Sequence, residues 1–233
     1  TGAITIKKDI KEVWKAIYSP GKRVVAQVAP AVRVAIGEEF GLEPGKNSIG
    51  KIFTAMRMIG FDTVFDTSFA ADLTIMEESA ELVKKLEKGD NKYPLFTSCC
   101  PGWIRFAETK HPELLPYIST CRSPMEMFGA VIKEYYKPAD KEAGLETVSV
   151  AVMPCVAKKY EAARPEFVRD GVPDVDYVIT TKELISMIRE LGIQFNELEP
   201  GSPDMPFSIS SGSGVIFGVT GGVMEAALRK VAD

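Results

Sequence analysis

The chain has 233 residues, 45% of them hydrophobic, and a formal net charge of −4. Length and composition allow one large α/β unit or two small domains and argue against intrinsic disorder. The acidic balance offers no basic surface for nucleic acid or a membrane, and no apolar run reaches the roughly 18 residues that a spanning helix needs. Four cysteines without the spacing of a disulfide framework predict a reducing, cytoplasmic setting.

The first part of the chain alternates helical and strand patterns. Residues 7–17 predict a helix, and "RVVAQVAP" predicts a buried strand that ends at Pro30. Two helical stretches follow, "AVRVAIGEEFG" and "SIGKIFTAMRMIG", each ending at glycine. Next, "DTVFDT" predicts a short strand and "ADLTIMEESAELVKKLEK" an amphipathic helix.

The alternation continues to the end of the chain. "YPLFTSC" predicts a strand, residues 103–108 and 125–135 predict helices, and "TVSVAVMPC" is the strongest strand pattern. "VDYVITT" and the helix "KELISMIREL" come next, then a loop rich in Gly, Pro and Ser and a last helix, "VMEAALRKVAD". Strands that alternate with helices favour an α/β fold, in which helices cover both faces of a mostly parallel, twisted sheet.

Three predicted strands end at a proline, in "QVAP", "FTSCCP" and "VMPC". Ligands of open α/β sheets bind beyond the carboxyl ends of the strands, where Cys99, Cys100, Cys155 and Met153 are expected. Soft sulfur ligands suit an iron–sulfur or other thiophilic metal site. The spacing is equally compatible with buried cysteines that act as small core hydrophobes, because the chain has no C-x-x-C pair.

Cys99 and Cys100 are neighbours at a point where the chain must turn. A disulfide between adjacent residues strains the backbone, which makes a thiol redox module an unfavourable interpretation. The better hypothesis is that the two thiols have different tasks.

The cysteine motifs also carry a family resemblance. "TSCCPGW" and "MPCVAKKYEA" resemble two signature stretches of the catalytic (H-cluster) domain of iron-iron (FeFe) hydrogenases, and "ADLTIMEE" and "GVIFGVTGGVMEAALR" are similar to its intervening segments. The resemblance covers essentially the whole chain. It implies an anaerobic oxidoreductase that interconverts molecular hydrogen with protons and electrons. The implied cofactor is the H-cluster, a 4Fe-4S cubane linked to a two-iron subsite with carbon monoxide, cyanide and dithiolate ligands.

The resemblance implies roles for individual residues. Cys100 and Cys155 match cubane ligands, and Cys99 matches the free thiol that passes protons to the amine of the dithiolate. A ligating cysteine must be a thiolate, whereas a thiol with a pKa of about 8.5 can keep and return a proton. Six positions match residues that line the two-iron subsite: Pro30, Ser98, Pro101, Met153, Lys158 and Phe217. Without the resemblance, Lys158 would be interpreted as a surface lysine.

The family's proton route corresponds to Cys99, Glu78, Ser119 and Glu81, in that order toward the surface. Helical periodicity gives another interpretation. It places Glu81 on the polar face and Glu78 at its border, opposite an apolar stripe made of Leu73, Ile75, Met76, Ala80, Leu82, Val83 and Leu86. By this pattern alone, both glutamates are solvated.

Three other residues are given no catalytic or ligand role. His111, in "TKHPELLP", is expected to be an exposed loop residue. Cys121 matches no ligand position and is expected to be a packing cysteine. Met125 stands where some relatives would have a glutamine, which leaves the chemistry near the amine open.

The family's third signature, with the remaining two cysteines, is not in this sequence, so the chain is interpreted as a fragment. We expect residues 1–147 to form a first lobe, residues 148–233 to begin a second, and the cleft between the lobes to hold the cluster. Two of four ligands cannot close a cubane site, so this chain alone is expected to be inactive, with its cluster absent or incomplete.

The resemblance also implies partners. These are the remainder of the hydrogenase chain or a complementary subunit, a ferredoxin-type electron carrier and hydrogenase maturation proteins, with no nucleic acid and no membrane. Two alternatives stay open, a hydrogen-sensing homologue and an iron–sulfur assembly homologue. The intact "TSCCP" and "MPC" stretches favour a catalytic protein over an assembly factor.

Overall fold

A computed structural model describes residues 6–89, 94–217 and 221–232. The chain folds as two compact units. The first consists of Thr1–Thr67 and Gly129–Ser208, and the second of Ser68–Phe128 and Ile209–Asp233. The boundary predicted near residue 147 does not coincide with this division, because the strand Glu146–Met153 pairs with a strand from the beginning of the chain in the first unit.

The strands of the described residues are β1 (Lys22–Val28), β2 (Thr63–Asp66), β3 (Glu146–Met153), β4 (Val168–Arg169), β5 (Val172–Pro173) and β6 (Tyr177–Thr180). Four of them form a parallel sheet in the first unit, in the order β2-β1-β3-β6. Strands β4 and β5 form a separate antiparallel pair. The predicted α/β fold with a parallel sheet flanked by helices is therefore confirmed.

The two central strands have no exposed face. Val24–Val28 of β1 and Thr147–Met153 of β3 are buried without interruption, as expected for a parallel sheet that is covered on both sides. The register pairs Val28 with Val152, and the amide of Ala29 donates to the Val152 carbonyl at 3.0 Å. Pro30 and Pro154 therefore follow neighbouring strands at the same carboxyl edge of the sheet.

The α-helices of the described residues are numbered in chain order. They are α1 (Ile10–Tyr18), α2 (Val32–Ala35), α3 (Ile49–Ile59), α4 (Ser68–Glu87), α5 (Pro101–Lys110), α6 (Pro124–Ala143), α7 (Ala157–Ala162), α8 (Thr181–Glu190), α9 (Gly212–Ile216) and α10 (Gly222–Ala232). The stretch "AVRVAIGEEFG" divides into α2 and a 3₁₀ helix, Gly37–Phe40. None of these helices combines the length and apolar character needed to cross a bilayer.

The predicted strand in "YPLFTSC" is wrong for its described residues. Residues 94–100 form no strand of the sheet, and Phe96 makes one isolated parallel bridge with Ile118. The amide of Phe96 donates to the Tyr117 carbonyl at 2.8 Å, and the amide of Ser119 donates to the Phe96 carbonyl at 2.7 Å. Only two of the three proline-terminated segments, those of β1 and β3, thus end at the sheet edge.

Gly129 on α6 is required by close packing within the first unit. A β-carbon at this position would lie 2.5 Å from the Asp174 carbonyl oxygen and 2.6 Å from Val175 Cγ2. We expect Gly129→Ala to lower the free energy of unfolding by about 1–3 kcal/mol, because the backbone around Asp174 must move. Gly212→Ala is the control, since a β-carbon there meets nothing within 4 Å. Urea unfolding that gave equal midpoints for both variants would contradict this packing argument.

Candidate proton-transfer and metal site

The two neighbouring cysteines have different surroundings. Cys100 is exposed and caps the N-terminus of α5, where its Sγ accepts the Trp103 amide at 3.5 Å and Pro101 takes the first helical position. Cys99 is only partly exposed, and neither thiol is in a disulfide. Amide-to-sulfur hydrogen bonds are among the features that tune thiolate ligands of iron–sulfur clusters. The predicted division of tasks between the two thiols is compatible with this geometry.

Three residues of the predicted proton route lie together in the second unit. The Ser119 hydroxyl donates to Glu81 Oε2 at 2.6 Å, and the Thr120 amide lies 3.3 Å from both Glu81 carboxylate oxygens. Glu78 lies one turn earlier on α4 and is only 3% exposed, whereas Glu81 is partly exposed. A hydrogen bond thus joins the Ser119 hydroxyl to the partly exposed Glu81 carboxylate, and the buried Glu78 carboxyl lies one helical turn from Glu81.

Glu78 is the most perturbed acid of this group. Burial, followed by the negative charge of Glu81, raises the pKa of Glu78 to about 7, and the Ser98 backbone and Ser119 hydroxyl offset part of the rise. These two groups lie nearby, yet neither carboxyl oxygen of Glu78 makes a hydrogen bond of normal geometry. A cavity of about 10 Å³ adjoins Glu78, Ser119 and Thr97, a size that accommodates about one water molecule.

The solvated positions that periodicity predicts for the two glutamates are therefore wrong for Glu78 and only partly right for Glu81. Helix α4 packs against both α9 and α10, so its buried surface is wider than one apolar stripe. Ala71, Thr74, Glu78 and Ser79 are buried among others, whereas Met76 is 59% exposed and Leu86 56% exposed. The polarity of the side chains does not mark the buried face of this helix.

The second cysteine motif follows β3 in the first unit. Met153 is buried at the end of the strand, and Cys155 is exposed just before α7. Lys158, on the first turn of α7, pairs with Glu161 through a distance of 2.6 Å between Nζ and Oε2. The Lys158 side chain is only 15% exposed, so its interpretation as a surface lysine is wrong.

The remaining predicted lining residues are distributed over both units. Pro30 is half-buried after β1, Pro101 is buried, and Phe217 is half-buried after α9. The Ser98 hydroxyl donates to the carbonyl of Cys121. Their contact with a two-iron subsite stays a prediction.

The structure agrees with the exposed position predicted for His111, but it gives Cys121 a contact beyond simple packing. His111 ends α5 with its side chain 46% exposed and its Nδ1 3.0 Å from Glu113 Oε1, in agreement with a solvated residue. Cys121 is partly buried, but its Sγ lies 3.8 Å from Glu81 Oε2. Sequence reasoning missed this contact, and only the position of Cys121 two residues after Ser119 could have indicated it.

The donor chemistry fits part of an iron–sulfur site. Cys100 and Cys155 are exposed free thiols, and cysteine thiolates are the usual ligands of iron–sulfur clusters. Among residues 6–89, 94–217 and 221–232, no three His, Cys, Asp or Glu side chains gather to hold a metal ion. Each of the two cysteines separately has the donor chemistry that an iron–sulfur cluster takes.

Comparison with known proteins decides the family. The profile described as "Iron only hydrogenase large subunit, C-terminal domain" matches residues 22–233. The chain belongs to this family. Its fold is likewise that of a variant of apo [FeFe]-hydrogenase HydA1 from Chlamydomonas reinhardtii, with a TM-score of 0.83 and 44% identity over 97% of this chain and 58% of the other.

Three curated relatives show how the family divides. The chain is 51% identical to the NADP-reducing hydrogenase subunit HndD of Solidesulfovibrio fructosivorans, over 98% of this chain and 40% of the relative. It is 47% identical to iron hydrogenase 1 of Clostridium pasteurianum, over 99% and 40%. It is 35% identical to cytosolic iron-sulfur assembly component 3 of Mus musculus, over 92% and 47%. The chain thus spans about half or less of these relatives, and it is a hydrogenase-like domain fragment.

Proposed function

We propose that the chain is part of the catalytic domain of an iron-iron hydrogenase, and that the complete protein interconverts molecular hydrogen with protons and electrons. The observation that carries this proposal is the buried Glu78 carboxyl beside the Ser119 hydroxyl, which donates to Glu81. A buried carboxyl with a pKa near 7 can take up and release a proton at neutral pH. A scaffold that only binds a cluster has no need of such a group.

The proton route would use this chain's own residues. Cys99 would hold a proton as a thiol and exchange it with Glu78. The Ser119 hydroxyl would pass it on by accepting from Glu78 while it donates to Glu81, and the partly exposed Glu81 would exchange it with water. Glutamate carboxyls, a hydroxyl and a thiol can each both donate and accept in at least one protonation state.

The H-cluster, when bound, would supply the iron site where protons and electrons combine. Cys100 and Cys155 would be two of the cubane ligands. The positive charge of Lys158 would complement an anionic cyanide ligand, because a charge-assisted hydrogen bond is strongest where water is excluded. Six residues would line the two-iron subsite: Pro30, Ser98, Pro101, Met153, Lys158 and Phe217.

The remaining requirements lie outside this chain. The other ligands would come from the remainder of the hydrogenase chain or a complementary subunit, electrons from a ferredoxin-type carrier, and the two-iron subsite from maturation proteins. This chain by itself would be inactive. We assign it to the cytoplasm, although the relatives include a protein named as a periplasmic [Fe] hydrogenase.

The second candidate function is iron–sulfur assembly, which the 35% identity to cytosolic iron-sulfur assembly component 3 supports. The greater identity to named hydrogenases, 51% and 47%, favours catalysis. A hydrogen-sensing protein with an H-cluster but slow turnover is a variant of the first proposal, and the rate of hydrogen turnover distinguishes the two.

The test uses the full-length protein, matured under anaerobic conditions. We expect carbon monoxide and cyanide bands in its infrared spectrum, together with hydrogen turnover. An assembly factor would show no such bands, and a sensor would show bands with little turnover. Cys99→Ala is expected to keep the bands and the iron content but nearly abolish turnover, because the thiol is the first proton carrier. Substantial turnover in Cys99→Ala would contradict the route.

A further inference from the structure

Cys121 connects three segments of the second unit. Its Sγ lies 3.8 Å from Glu81 Oε2 on α4, and its amide donates to Ser119 Oγ at 3.1 Å. Its carbonyl accepts the Ser98 hydroxyl, next to Cys99 in the chain. Cys121 thus contacts Glu81, the outermost residue of the predicted proton route, and Ser98, the residue that precedes Cys99.

These contacts fix the direction of the Ser119 hydroxyl. Ser119 Oγ accepts the Cys121 amide and directs its own proton to Glu81 Oε2, at 2.6 Å. The Thr120 amide lies 3.3 Å from both oxygens of the same carboxylate. Residues 119–121 therefore surround Glu81 with three donors of different kinds: a hydroxyl, an amide and a thiol.

The thiol of Cys121 is protonated in these surroundings. Burial raises the pKa of Cys121 to about 11; the nearby Ser119 side chain opposes the rise, and the charges of Glu78, Glu81 and Glu77 add to it. A protonated thiol donates a weak hydrogen bond, whereas a thiolate would repel the Glu81 carboxylate.

We propose that Cys121 is a positioning residue of the proton route, whose thiol donates to the Glu81 carboxylate and whose backbone holds Ser119 and Ser98 in place. Without the thiol, the Glu81 carboxylate loses one of its donors and turns more often toward the solvent. The role of this hydrogen bond in catalysis rests on the proposed function. The hydrogen bond itself does not.

The first test measures the hydrogen bond directly, in the full-length protein without the H-cluster. The infrared difference spectrum between wild type and Cys121→Ser isolates the S–H stretching band of Cys121. The difference between the Glu81→Gln variant and the double variant Glu81→Gln/Cys121→Ser isolates the same band when residue 81 carries a neutral amide. We expect the band to move to higher frequency with Glu81→Gln, because an amide accepts more weakly than a carboxylate. An unchanged band would overturn the proposal.

The second test measures turnover in the matured enzyme. We expect Cys121→Ala to lower hydrogen turnover about five-fold, as the loss of one hydrogen bond allows, with iron content and the thermal midpoint unchanged. Cys121→Ser retains a donor and should recover most of the rate. Equal turnover in Cys121→Ala and wild type would overturn the positioning role. If the wild-type protein itself lacks turnover, the proposed function fails, and the S–H band alone decides whether the thiol donates to Glu81.

Discussion

Replacing Glu78 by glutamine is expected to stabilise the fold above neutral pH while it stops proton transfer. The pKa of Glu78 is about 7, against 4.5 for an exposed glutamate. The folded protein therefore binds a proton that the unfolded chain has lost, and the wild-type free energy of unfolding falls as pH rises from 4.5 to 7. A shift of this size corresponds to about 3 kcal/mol at most. Glutamine does not titrate and avoids this loss.

The measurement is urea unfolding of wild type and Glu78→Gln as a function of pH. The two proteins should differ little at acidic pH, where the wild-type carboxyl is neutral, and the difference should grow up to about pH 7 and then level off. Glu77→Gln is the matched control, because Glu77 is exposed on the same helix. Parallel stability curves for Glu78→Gln and wild type would show that Glu78 does not titrate near neutral pH.

The same substitution is expected to abolish nearly all hydrogen turnover in the matured full-length enzyme. Glutamine keeps the size of the side chain but cannot exchange a carboxyl proton, so iron content and infrared bands should stay normal. The combination of greater stability and lost turnover separates a functional carboxyl from a structural one. Substantial turnover in Glu78→Gln would place the route elsewhere.

The sheet could be predicted from the sequence because its strands are encoded locally. The runs "RVVAQV" and "TVSVAVM" are long, β-branched and apolar, as both-face burial requires, and they became β1 and β3. The "FTSC" segment has a similar local character. Its backbone instead pairs at one bridge with Ile118, a contact that no local pattern contains.

The site was predictable only in part, because burial of a polar residue depends on distant segments. Glu78 is buried on a helix that packs against α9 and α10, more than a hundred residues away in the chain. Periodicity assumes one buried stripe and therefore predicts Glu78 at the solvated border of the helix. The family resemblance singles out Glu78 as a candidate, and the structure supplies the physical reason for its raised pKa.

Lys159 illustrates an interaction that sequence patterns cannot show, and its loss should have a large effect. Its Nζ lies 2.8 Å from Asp9 Oδ2 and 3.1 Å from Glu183 Oε2, and all three side chains are at most 10% exposed. We expect Lys159→Met to lower the free energy of unfolding by about 3–5 kcal/mol, because the buried Glu183 carboxylate loses its cation and the buried Asp9 keeps only the exposed Lys7, 3.5 Å away.

The effect should extend to the cysteine motif, because Lys159 lies on α7, which begins just after Cys155 and carries Lys158. The ion pairs join α7 to the start of α1 and to α8, so their loss frees the helix that places both residues. In the matured full-length protein, Lys159→Met is expected to lower the iron content and weaken the cyanide bands. Lys182→Met, at an exposed position of α8, should change stability by less than about 0.5 kcal/mol and leave the iron content unchanged. Normal iron content in a strongly destabilised Lys159→Met protein would show that the ion cluster supports the fold without positioning the motif.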